Sequence, residues 1–402
     1  MKKISLLFLT SHLPFPPISG GRLREFEVIK RLKQFCDTYL CVLTKTWLED
    51  IQNIAYLEPF CQEIRIFCAN EAVLDEKSEI PAQVFRNTST DARKYIADLL
   101  DRKKVELVHI EGFYMKSLLP VKAYVPILLV EQNIEYLLFL QRYKYEADGL
   151  KKWNLNQYKV TKKEEIEAWK ACNKCVFLTK QDKEIAQAET DRDDLSIICN
   201  GIDHVHKQTD CAYCMEEESE NYILYVGNFD YFPNIDAATY LLDIIFPKVL
   251  KEVPDVKMYI VGNESDVKLE QYKKNKNVRI FGRQEKLDKY IKNSLFCVFP
   301  LRMGGGIKVK VLEALYFNKV VVTTSIGAQG IYHDNETAII VEDNGKIMAE
   351  KIIKLLQSRE ELSVLEKKCK DILCRFYTWD ESVKRLVSEY RKLVEGKNIY
   401  EG

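Results

Sequence analysis

The sequence lacks an excess of charge of either sign. Its 402 residues include 60 basic and 60 acidic side chains, so the formal net charge at pH 7 is zero. No global field therefore draws the chain to nucleic acid or to a membrane, and a contact of that kind would need a local patch. With 47% hydrophobic and 30% charged residues, the composition is that of a globular protein, and the length suits two domains.

Long hydrophobic runs are missing as well. Nowhere do 18 apolar residues follow one another without interruption, which argues against a membrane-spanning helix. The apolar run Ile4–Leu9 resembles the start of a signal peptide, but it ends at Thr10 and no small-residue cleavage site follows. The 12 cysteines are scattered, and several lie in apolar segments, as buried thiols do in a reducing compartment. We therefore expect a cytoplasmic protein.

Common cofactor and metal motifs are absent or incomplete. No Gly-x-Gly-x-x-Gly follows the first apolar segment, which argues against a nicotinamide dehydrogenase. The pair Cys172 and Cys175 lies at the start of an apolar segment, and we interpret it as part of the core. One further cluster has the side chains of a zinc site but the spacing of no common zinc module, so metal binding there stays open. Its members are His204, His206, Cys211 and Cys214.

Short apolar segments alternate with helical patterns along the whole chain, which indicates parallel sheets with crossover helices. The acidic stretch 216–220 interrupts this alternation and marks a boundary. The predicted strands are Ile4–Leu9, Thr38–Leu43, Glu63–Phe67, Leu107–Ile110, Ile127–Glu131, Cys175–Thr179, Leu195–Cys199, Tyr222–Val226, Lys257–Val261, Val278–Phe281, Phe296–Phe299, Val320–Thr323 and Ala338–Val341. The predicted helices are Arg22–Phe35, Thr90–Lys103, Glu164–Cys172, Lys180–Thr190, Ala237–Lys251, Leu287–Asn293, Val309–Phe317 and Glu381–Val394.

Two consecutive halves of this kind predict an α/β protein with two doubly wound, Rossmann-like domains that face each other across a cleft. We place the first domain at residues 1–205, a linker at 206–220 and the second domain at 221–380. A C-terminal helix and tail occupy 381–402. Ligands of such sheets bind at the carboxyl ends of the strands, so the loops that follow strands are the candidate sites.

The most informative loop joins a predicted strand to a predicted helix within Pro300–Glu313. Its glycines Gly304, Gly305 and Gly306 let backbone N–H groups approach a phosphate near a helix N-terminus. Lys308 and Lys310 follow within a few residues and add positive charge. Glu313 then adds a carboxylate that is suited to a ribose diol. The segment thus offers groups for the diphosphate and the sugar of a nucleotide. The alternative is a packed loop with two solvated lysines.

Polar residues also follow other predicted strands. The first strand leads to a stiff proline-containing turn that ends at Gly20, Gly21 and Arg24, a group that can hold an anion. A histidine such as His109 at a strand end serves structure more often than catalysis, and both interpretations stay open. The remaining strand-end candidates are Glu111, Asn133, Glu135, Gly227, Asn228 and Asn234.

Taken in order, these motifs resemble the group 1 (family 4) glycosyltransferases of the GT-B fold, and the likeness covers nearly the whole chain. The resemblance implies two Rossmann-like domains and a last helix that crosses back toward the N-terminal domain. It is strongest for bacterial sugar transferases of polysaccharide and exopolysaccharide synthesis. The motifs that carry it are Pro16 with Gly20, Gly21 and Arg24; residues 131–135; residues 200–203; residues 226–228 with Pro233 and Asn234; residues 260–262 and 280–282; residues 300–314; residues 320–324; residues 327–330; and Trp379 with Asp380.

The resemblance implies a nucleotide-sugar donor held by the second domain, with Glu313 as the second glutamate of a Glu-x7-Glu motif. Gly305 stands where the first glutamate would be, and residues 228–232 lack the basic residues that many members have there. The backbone of residues 304–307, including Ile307, would then orient the diphosphate, whose charge would fall on Lys308 and Lys310 together with Arg24. Of the two lysines we expect one to be the ligand, with Lys310 favoured, and the other to be a surface residue.

The resemblance also implies that His109 or Glu111 contacts the transferred sugar. Transfer would retain the anomeric configuration and need no metal and no cofactor. Consistent with this, we interpret the acidic residues at 191–194 as a solvated turn rather than a metal site.

The acceptor is less well defined by the sequence. The resemblance implies a saccharide or lipid-linked saccharide, with Glu111, Asn133 and Glu135 on the acceptor side. The basic, aromatic-rich stretch Arg142–Lys163 suits the inner membrane face or an anionic lipid-linked acceptor, or else is a solvated helix with inward-packing aromatics. Two other functions stay open. One is a GT-B epimerase or phosphorylase, and the other is a catalytically silent nucleotide-sugar-binding protein.

Overall fold

The structure is a computed structural model that describes residues 2–102, 104–120, 124–145, 148–202, 221–331 and 338–400. The chain divides into two compact units, one of Met1–Gly201 with Trp379–Gly402 and one of Ile202–Thr378. The last helix therefore belongs to the first unit, as the resemblance implied. The linker predicted at 206–220 and the four candidate zinc ligands lie outside the described residues.

The first unit is built on a parallel sheet of seven strands in the order β3-β2-β1-β4-β5-β6-β7. Because the order reverses between β1 and β4, their carboxyl ends form the topological switch point at which doubly wound sheets bind ligands. The elements of this unit are β1 (Ile4–Thr10), α1 (Gly20–Leu32), β2 (Cys36–Thr44), α2 (Trp47–Asn53), 3-10 turns at Ile54–Tyr56 and Glu58–Phe60, β3 (Glu63–Cys68), α3 (Ala82–Arg86), α4 (Thr90–Asp101), β4 (Leu107–Glu111), a 3-10 helix at Phe113–Leu118, β5 (Ile127–Glu131), α5 (Glu135–Tyr145), a 3-10 turn at Asp148–Leu150, α6 (Lys151–Ala171), β6 (Lys174–Phe177), α7 (Lys180–Thr190) and β7 (Ser196–Ile197).

The second unit has a parallel sheet of six strands in the order β10-β9-β8-β11-β12-β13, with its switch point between β8 and β11. Its elements are β8 (Tyr222–Val226), α8 (Phe232–Tyr240), a π-helical turn at Leu241–Ile245, α9 (Phe246–Glu252), β9 (Lys257–Val261), α10 (Ser265–Lys268), a 3-10 helix at Glu270–Lys274, β10 (Val278–Phe281), α11 (Asp288–Asn293), β11 (Cys297–Phe299), α12 (Val309–Tyr316), β12 (Val321–Thr323), β13 (Ile339–Val341), α13 (Gly345–Gln357) and α14 (Arg359–Phe376), and the final helix of the chain is α15 (Trp379–Tyr400). The α/β class and the paired Rossmann-like sheets are thus confirmed.

The central strands are buried on both faces, as expected of parallel strands covered by helices. Every residue of β4, β5 and β8 is buried. In the first unit, Trp169 of α6 and Phe113 are completely or almost completely enclosed in the apolar core with the strand residues. Burial of apolar surface of this kind, worth about 25 cal/mol per Å², holds the helices on the sheet.

The helices differ most from the prediction. Helix α6 runs over Lys151–Ala171, whereas the sequence indicated only its last third, because its polar and aromatic residues dilute the apolar periodicity. Helix α13 was not predicted, although Asn344 caps it by accepting from the N–H groups of Lys346 and Ile347. Strand β7 has only two residues, fewer than expected. None of the helices in the described part of the chain has the length and apolar character needed to cross a bilayer.

Candidate functional site

The switch point of the second unit brings most of the predicted donor residues together. Gly227 and Asn228 follow β8 directly, and the glycine loop follows β11, the neighbouring strand of the sheet. The loop leads into α12, for which Lys308 is the N-cap residue. The first turn of this helix, a kind of position that can bind an anion, therefore lies at the edge of the sheet where a ligand is expected.

The backbone of the glycine loop requires glycine at two positions. Gly304 has φ of +120° and Gly306 has φ of +61°, values that side-chain-bearing residues rarely adopt. The Lys308 ammonium donates hydrogen bonds to the carbonyls of Gly305 at 2.8 Å and Gly306 at 2.7 Å, which closes the loop on itself. The Ile307 side chain is buried, so only the backbone of this residue is available to bind a nucleotide sugar.

Lys310 is held at the end of β8. Its Nζ donates to Asn234 Oδ1 at 2.6 Å and to the carbonyl oxygen of Val226 at 3.0 Å. The ammonium also lies 4.6 Å from the ring centroid of Tyr225 and 5.2 Å from that of Phe299. Lys310 thus bridges α12 and β8.

Burial lowers the pKa of Lys310 to about 7, and the positive charge of Lys308 contributes to the shift. The carboxylate of Glu313 acts in the opposite direction, as expected for a residue three positions later on the same helix face. The expectation that one lysine would be a surface residue was wrong, because both are half-buried and hydrogen-bonded. Lys308 is half-buried because the loop folds back so that two of its carbonyl groups accept hydrogen bonds from the Lys308 ammonium.

Gly227, Asn228 and Asn234 form one packed turn after β8. A Cβ atom on Gly227 would lie 2.9 Å from Cγ of Asn234, so the side chain of Asn234 fills the space that glycine leaves. Asn234 Nδ2 donates to the carbonyl oxygen of Asn228 at 2.7 Å. This turn positions the acceptor oxygen that binds Lys310.

Sequence reasoning missed Arg302, which lies inside the loop between β11 and the glycines. Its Nε donates to Asp236 Oδ2 at 3.0 Å, and a second guanidinium nitrogen bonds the other carboxylate oxygen. The guanidinium lies 4.6 Å from the ring centroid of Tyr240, so Arg302 fastens the loop to α8. The signal available in the sequence was a basic residue within the glycine-rich motif.

In the first unit, His109 lies in a closed polar cluster. The side chain is completely buried and stacks on Phe8, with ring centroids 4.2 Å apart. Its Nε2 is 2.9 Å from Glu111 Oε1, and its Nδ1 is 2.6 Å from the hydroxyl of Tyr390 in α15. Because both ring nitrogens have partners inside this unit, the geometry favours the structural interpretation of His109 over contact with a sugar.

Glu111 is equally enclosed. Burial raises its pKa, but the hydrogen bond from His109 and the positive charges of His109 and Arg24 outweigh burial and place the pKa below its usual value. Its second oxygen accepts from Gln132 Nε2 at 2.9 Å. Both carboxylate oxygens are therefore engaged within the first unit.

Arg24 does not fit the predicted diphosphate contact. Its side chain has no exposed surface, and Nη1 donates to Asn200 Oδ1 at 2.8 Å and to the carbonyl oxygen of Ile198 at 3.4 Å. Burial lowers the pKa of this guanidinium, while Glu111 is the nearby charge that most favours its charged form. Its position in α1 directs Arg24 into the core, whereas Gly20 and Gly21 open the same helix at the sheet edge.

The first turn of α1 meets the end of β5 through Gln132. A Cβ atom on Gly21 would lie 3.1 Å from Gln132 Oε1, a tight contact. Gln132 also donates to Glu25 Oε1 at 3.3 Å, and Glu25 accepts from the hydroxyl of Thr10 at 2.6 Å. Gln132 and Glu25 thus belong to this polar cluster, although the sequence analysis did not select them.

The loop after β5 is organised by buried carboxyl groups. Glu165 accepts from the backbone N–H groups of Glu135 at 2.9 Å and Tyr136 at 3.0 Å, which caps the start of α5. Trp169 Nε1 donates to Glu131 Oε1 at 3.1 Å. Burial, reinforced by their mutual repulsion and that of neighbouring carboxyl groups, raises the pKa of Glu131 and Glu165 well above the usual range.

The predicted acceptor-side residues Asn133 and Glu135 lie in this same loop. Burial also raises the pKa of Glu135, although hydrogen bonds from Gln83 and Asn133 favour its ionised form. The structure therefore brings Asn133 and Glu135 together, while Glu111 lies in the neighbouring polar cluster. Among the residues that the structure describes, no group of three or more His, Cys, Asp or Glu side chains is arranged to hold a metal ion.

Solved structures of other proteins share this fold. The structure resembles sucrose-phosphate synthase from Thermosynechococcus elongatus, with a TM-score of 0.67 and 12% identity over 98% of this chain and 100% of that one. It also resembles HepE from Anabaena in complex with UDP and glucose, with a TM-score of 0.65 and 10% identity over 97% of this chain and 100% of the other. These likenesses show that the chain has the GT-B fold, with two Rossmann-like domains.

The second unit also matches a family model. Residues 220–358 match the model described as glycosyl transferases group 1. The matched range includes the glycine loop, Lys310 and Glu313. A relative in Klebsiella pneumoniae, a 44.6 kDa protein in the cps region, is 24% identical over 370 residues, which cover 87% of this chain and 90% of the relative.

The contact between His109 and Tyr390 gives a first testable prediction. We expect Tyr390→Phe to destabilise the protein by about 1–3 kcal/mol, because it leaves a buried imidazole nitrogen without its partner. Urea unfolding followed by tryptophan fluorescence would measure the loss, with Tyr124→Phe as the control because Tyr124 is 79% exposed. Equal midpoints for the two variants would contradict the importance of this contact.

Proposed function

We propose that this enzyme transfers a glycosyl unit from a nucleotide-sugar donor to a saccharide or lipid-linked saccharide acceptor in surface polysaccharide synthesis. The observation that carries the proposal is the family match over residues 220–358, which contains the strand-end loop and helix start of the second unit. The HepE structure was determined with UDP and glucose, which supports a nucleotide sugar as donor. The cps-region relative supports the polysaccharide assignment.

The geometry suggests how the donor is held. The glycine loop and the first turn of α12 lie at the switch point, where their backbone N–H groups stabilise a diphosphate. Lys310 adds a positive charge beside them, and Glu313 accepts hydrogen bonds from the ribose hydroxyls. As the sugar–phosphate bond breaks, negative charge grows on the leaving diphosphate, and preorganised donors lower the energy of that transition state.

The absence of the first family glutamate, replaced by Gly305, shifts more of this task to the backbone. Gly305 itself contributes a carbonyl to Lys308, so the loop conformation depends on a lysine instead of a carboxylate. We propose that transfer retains the anomeric configuration and proceeds without a metal ion or another cofactor. We also propose that the enzyme acts in the cytoplasm with a peripheral contact at the inner membrane face.

The function is tested with the purified full-length chain and a panel of nucleotide sugars. We expect one donor to raise the melting temperature, since a ligand at a hundred times its Kd stabilises the folded state by about 2.7 kcal/mol. With an acceptor present, that donor should be consumed at the same rate with and without EDTA. NMR of the product should show the anomeric configuration of the donor sugar.

Each possible outcome of these experiments tests a different part of the proposal. Activity that EDTA abolishes and Mg²⁺ restores would contradict metal independence, and an inverted anomeric centre would contradict retention. Conversion of the donor to a sugar epimer without transfer would instead support the epimerase alternative. If no nucleotide sugar stabilises the protein or is consumed, the proposed function is wrong.

A further inference from the structure

The first unit contains a cavity of about 150 Å³, roughly the volume of five water molecules, which suits one sugar ring or one charged group. Glu135 in its wall is the first residue of α5, just beyond the end of β5. The cavity therefore lies beside the edge of the sheet at which ligands bind in doubly wound folds. It is lined by residues of α3, α5 and α6, namely Ala82, Gln83, Arg86, Glu135, Leu138, Phe139, Arg142 and Trp153.

The charge of this cavity is predominantly positive. Arg86 and Arg142 both line it, and the charge of Arg142 favours the ionised form of Glu135, which lines the cavity as well. The carboxyl group of Glu135 accepts a hydrogen bond from Gln83 Nε2 at 3.0 Å, and burial raises its pKa.

The other walls suit a sugar. Phe139 and Trp153 provide aromatic surface, and the Arg142 guanidinium lies 6.0 Å from the ring centroid of Phe139. The carbonyl oxygen Oε1 of Gln83 is buried and has no hydrogen-bond partner in the described part of the chain. A buried acceptor of this kind costs free energy unless a donor such as a hydroxyl group pairs with it.

We propose that this cavity binds an anionic group of the acceptor, with Arg142 and Arg86 as its cationic ligands. The anion is the carboxylate of an acidic sugar or the phosphate of a lipid-linked saccharide, two sources with the same oxyanion chemistry. This inference rests on the proposed function, because it assigns the acceptor of that reaction. Arginine suits the role, since its guanidinium binds carboxylate and phosphate oxygens in pairs.

Direct binding to the full-length chain tests the inference. Titrations followed by saturation-transfer NMR would use glucuronate, its neutral counterpart methyl glucoside, and inorganic pyrophosphate, which is monitored by its competition with glucuronate or by phosphorus NMR. We expect at least one anion to bind, and Arg142→Met to weaken its binding by about tenfold or more through loss of a charge-assisted hydrogen bond. Lys144→Met, which removes an exposed positive charge from the same helix outside the cavity, should leave binding within about twofold.

The two sources are distinguished by which anion depends on Arg142. If glucuronate binding depends on Arg142, the result supports an acceptor that contains an acidic sugar. If pyrophosphate binding depends on Arg142, the result supports an acceptor that is a lipid-linked phosphate. Arg86→Met, at an exposed position, serves as a second variant if Arg142→Met melts early. Anion binding that is unchanged in both variants, or equal binding of methyl glucoside and glucuronate, would overturn the inference. Donor consumption by the wild-type enzyme is measured in parallel, so failure of the proposed function is recognised separately.

Discussion

Lys310→Met is expected to lower turnover by about tenfold to a hundredfold or more, because it removes a preorganised charge from the leaving diphosphate. Methionine keeps the length of the side chain and removes only the ammonium that binds Asn234 and the carbonyl of Val226. Lys308→Met is the matched comparison, since Lys308 donates to carbonyls of its own loop. Lys308→Met should lose less turnover than Lys310→Met. Steady-state kinetics with saturating acceptor would measure the difference.

The pKa of about 7 adds a pH dependence to this prediction. A diphosphate next to Lys310 favours its charged form, so donor binding should take up protons near pH 7 and weaken as the pH rises above 7. Calorimetry in buffers with different ionisation enthalpies would measure the uptake, which Lys310→Met should abolish. Full activity in both lysine variants, or proton uptake that persists in Lys310→Met, would show that the diphosphate is held elsewhere.

The same pKa has a consequence for stability. Because the folded-state pKa of Lys310 lies below its ordinary value of 10.5, the unfolded chain binds more protons between the two values. Stability therefore rises as the pH increases from 7 toward 10.5, and below pH 7 the full cost of burying the charged form remains. The melting temperature of Lys310→Met, measured across this pH range, should therefore lack the rise that Lys310 causes in the wild type.

Glu313→Gln is the second variant with a large expected effect. If Glu313 binds the donor ribose, loss of a charge-assisted hydrogen bond should weaken donor binding or turnover by about tenfold or more. The position supports this role, since Glu313 follows Lys310 by three residues on α12, at the start of which the glycine loop ends. Glutamine preserves the shape of the side chain, so the comparison isolates the negative charge.

The control for this variant is Glu350→Gln, at an exposed position of α13 in the same unit. Donor titrations monitored by calorimetry and initial rates would be compared for both variants and the wild type. The ribose assignment fails if Glu313→Gln keeps wild-type affinity and turnover with an unchanged melting temperature. A loss of turnover without a loss of affinity would place Glu313 at the transferred sugar instead.

Much of the candidate donor site could be predicted from local sequence. The apolar run that became β11, the glycines after it and the helical spacing of α12 occupy consecutive positions, so their order in space follows their order in the chain. Residues three apart on a helix share a face, and the charge of Glu313 accordingly acts on Lys310. Arg302 was missed because its partner Asp236 lies 66 residues away, in α8.

The polar cluster of the first unit could not be predicted in this way. His109 and Tyr390 are 281 residues apart, and their contact exists only because α15 packs against α1 and β4. Arg24 follows two glycines at a helix start, which locally resembles an anion site, but its side chain is turned into the core. Helix rotation relative to the sheet is set by packing of whole faces and not by a local motif.

The sequence by itself determined the alternation of strands and helices, the two parallel sheets and the glycine loop at a strand end. These features depend on periodicity and on backbone conformations that only certain residues adopt. Only the tertiary structure decided which charged residues became buried partners, such as Arg24, His109 and Glu111, and which line a cavity, such as Arg86 and Arg142. The physical reason is that burial and charge pairing depend on neighbours brought together from distant parts of the chain.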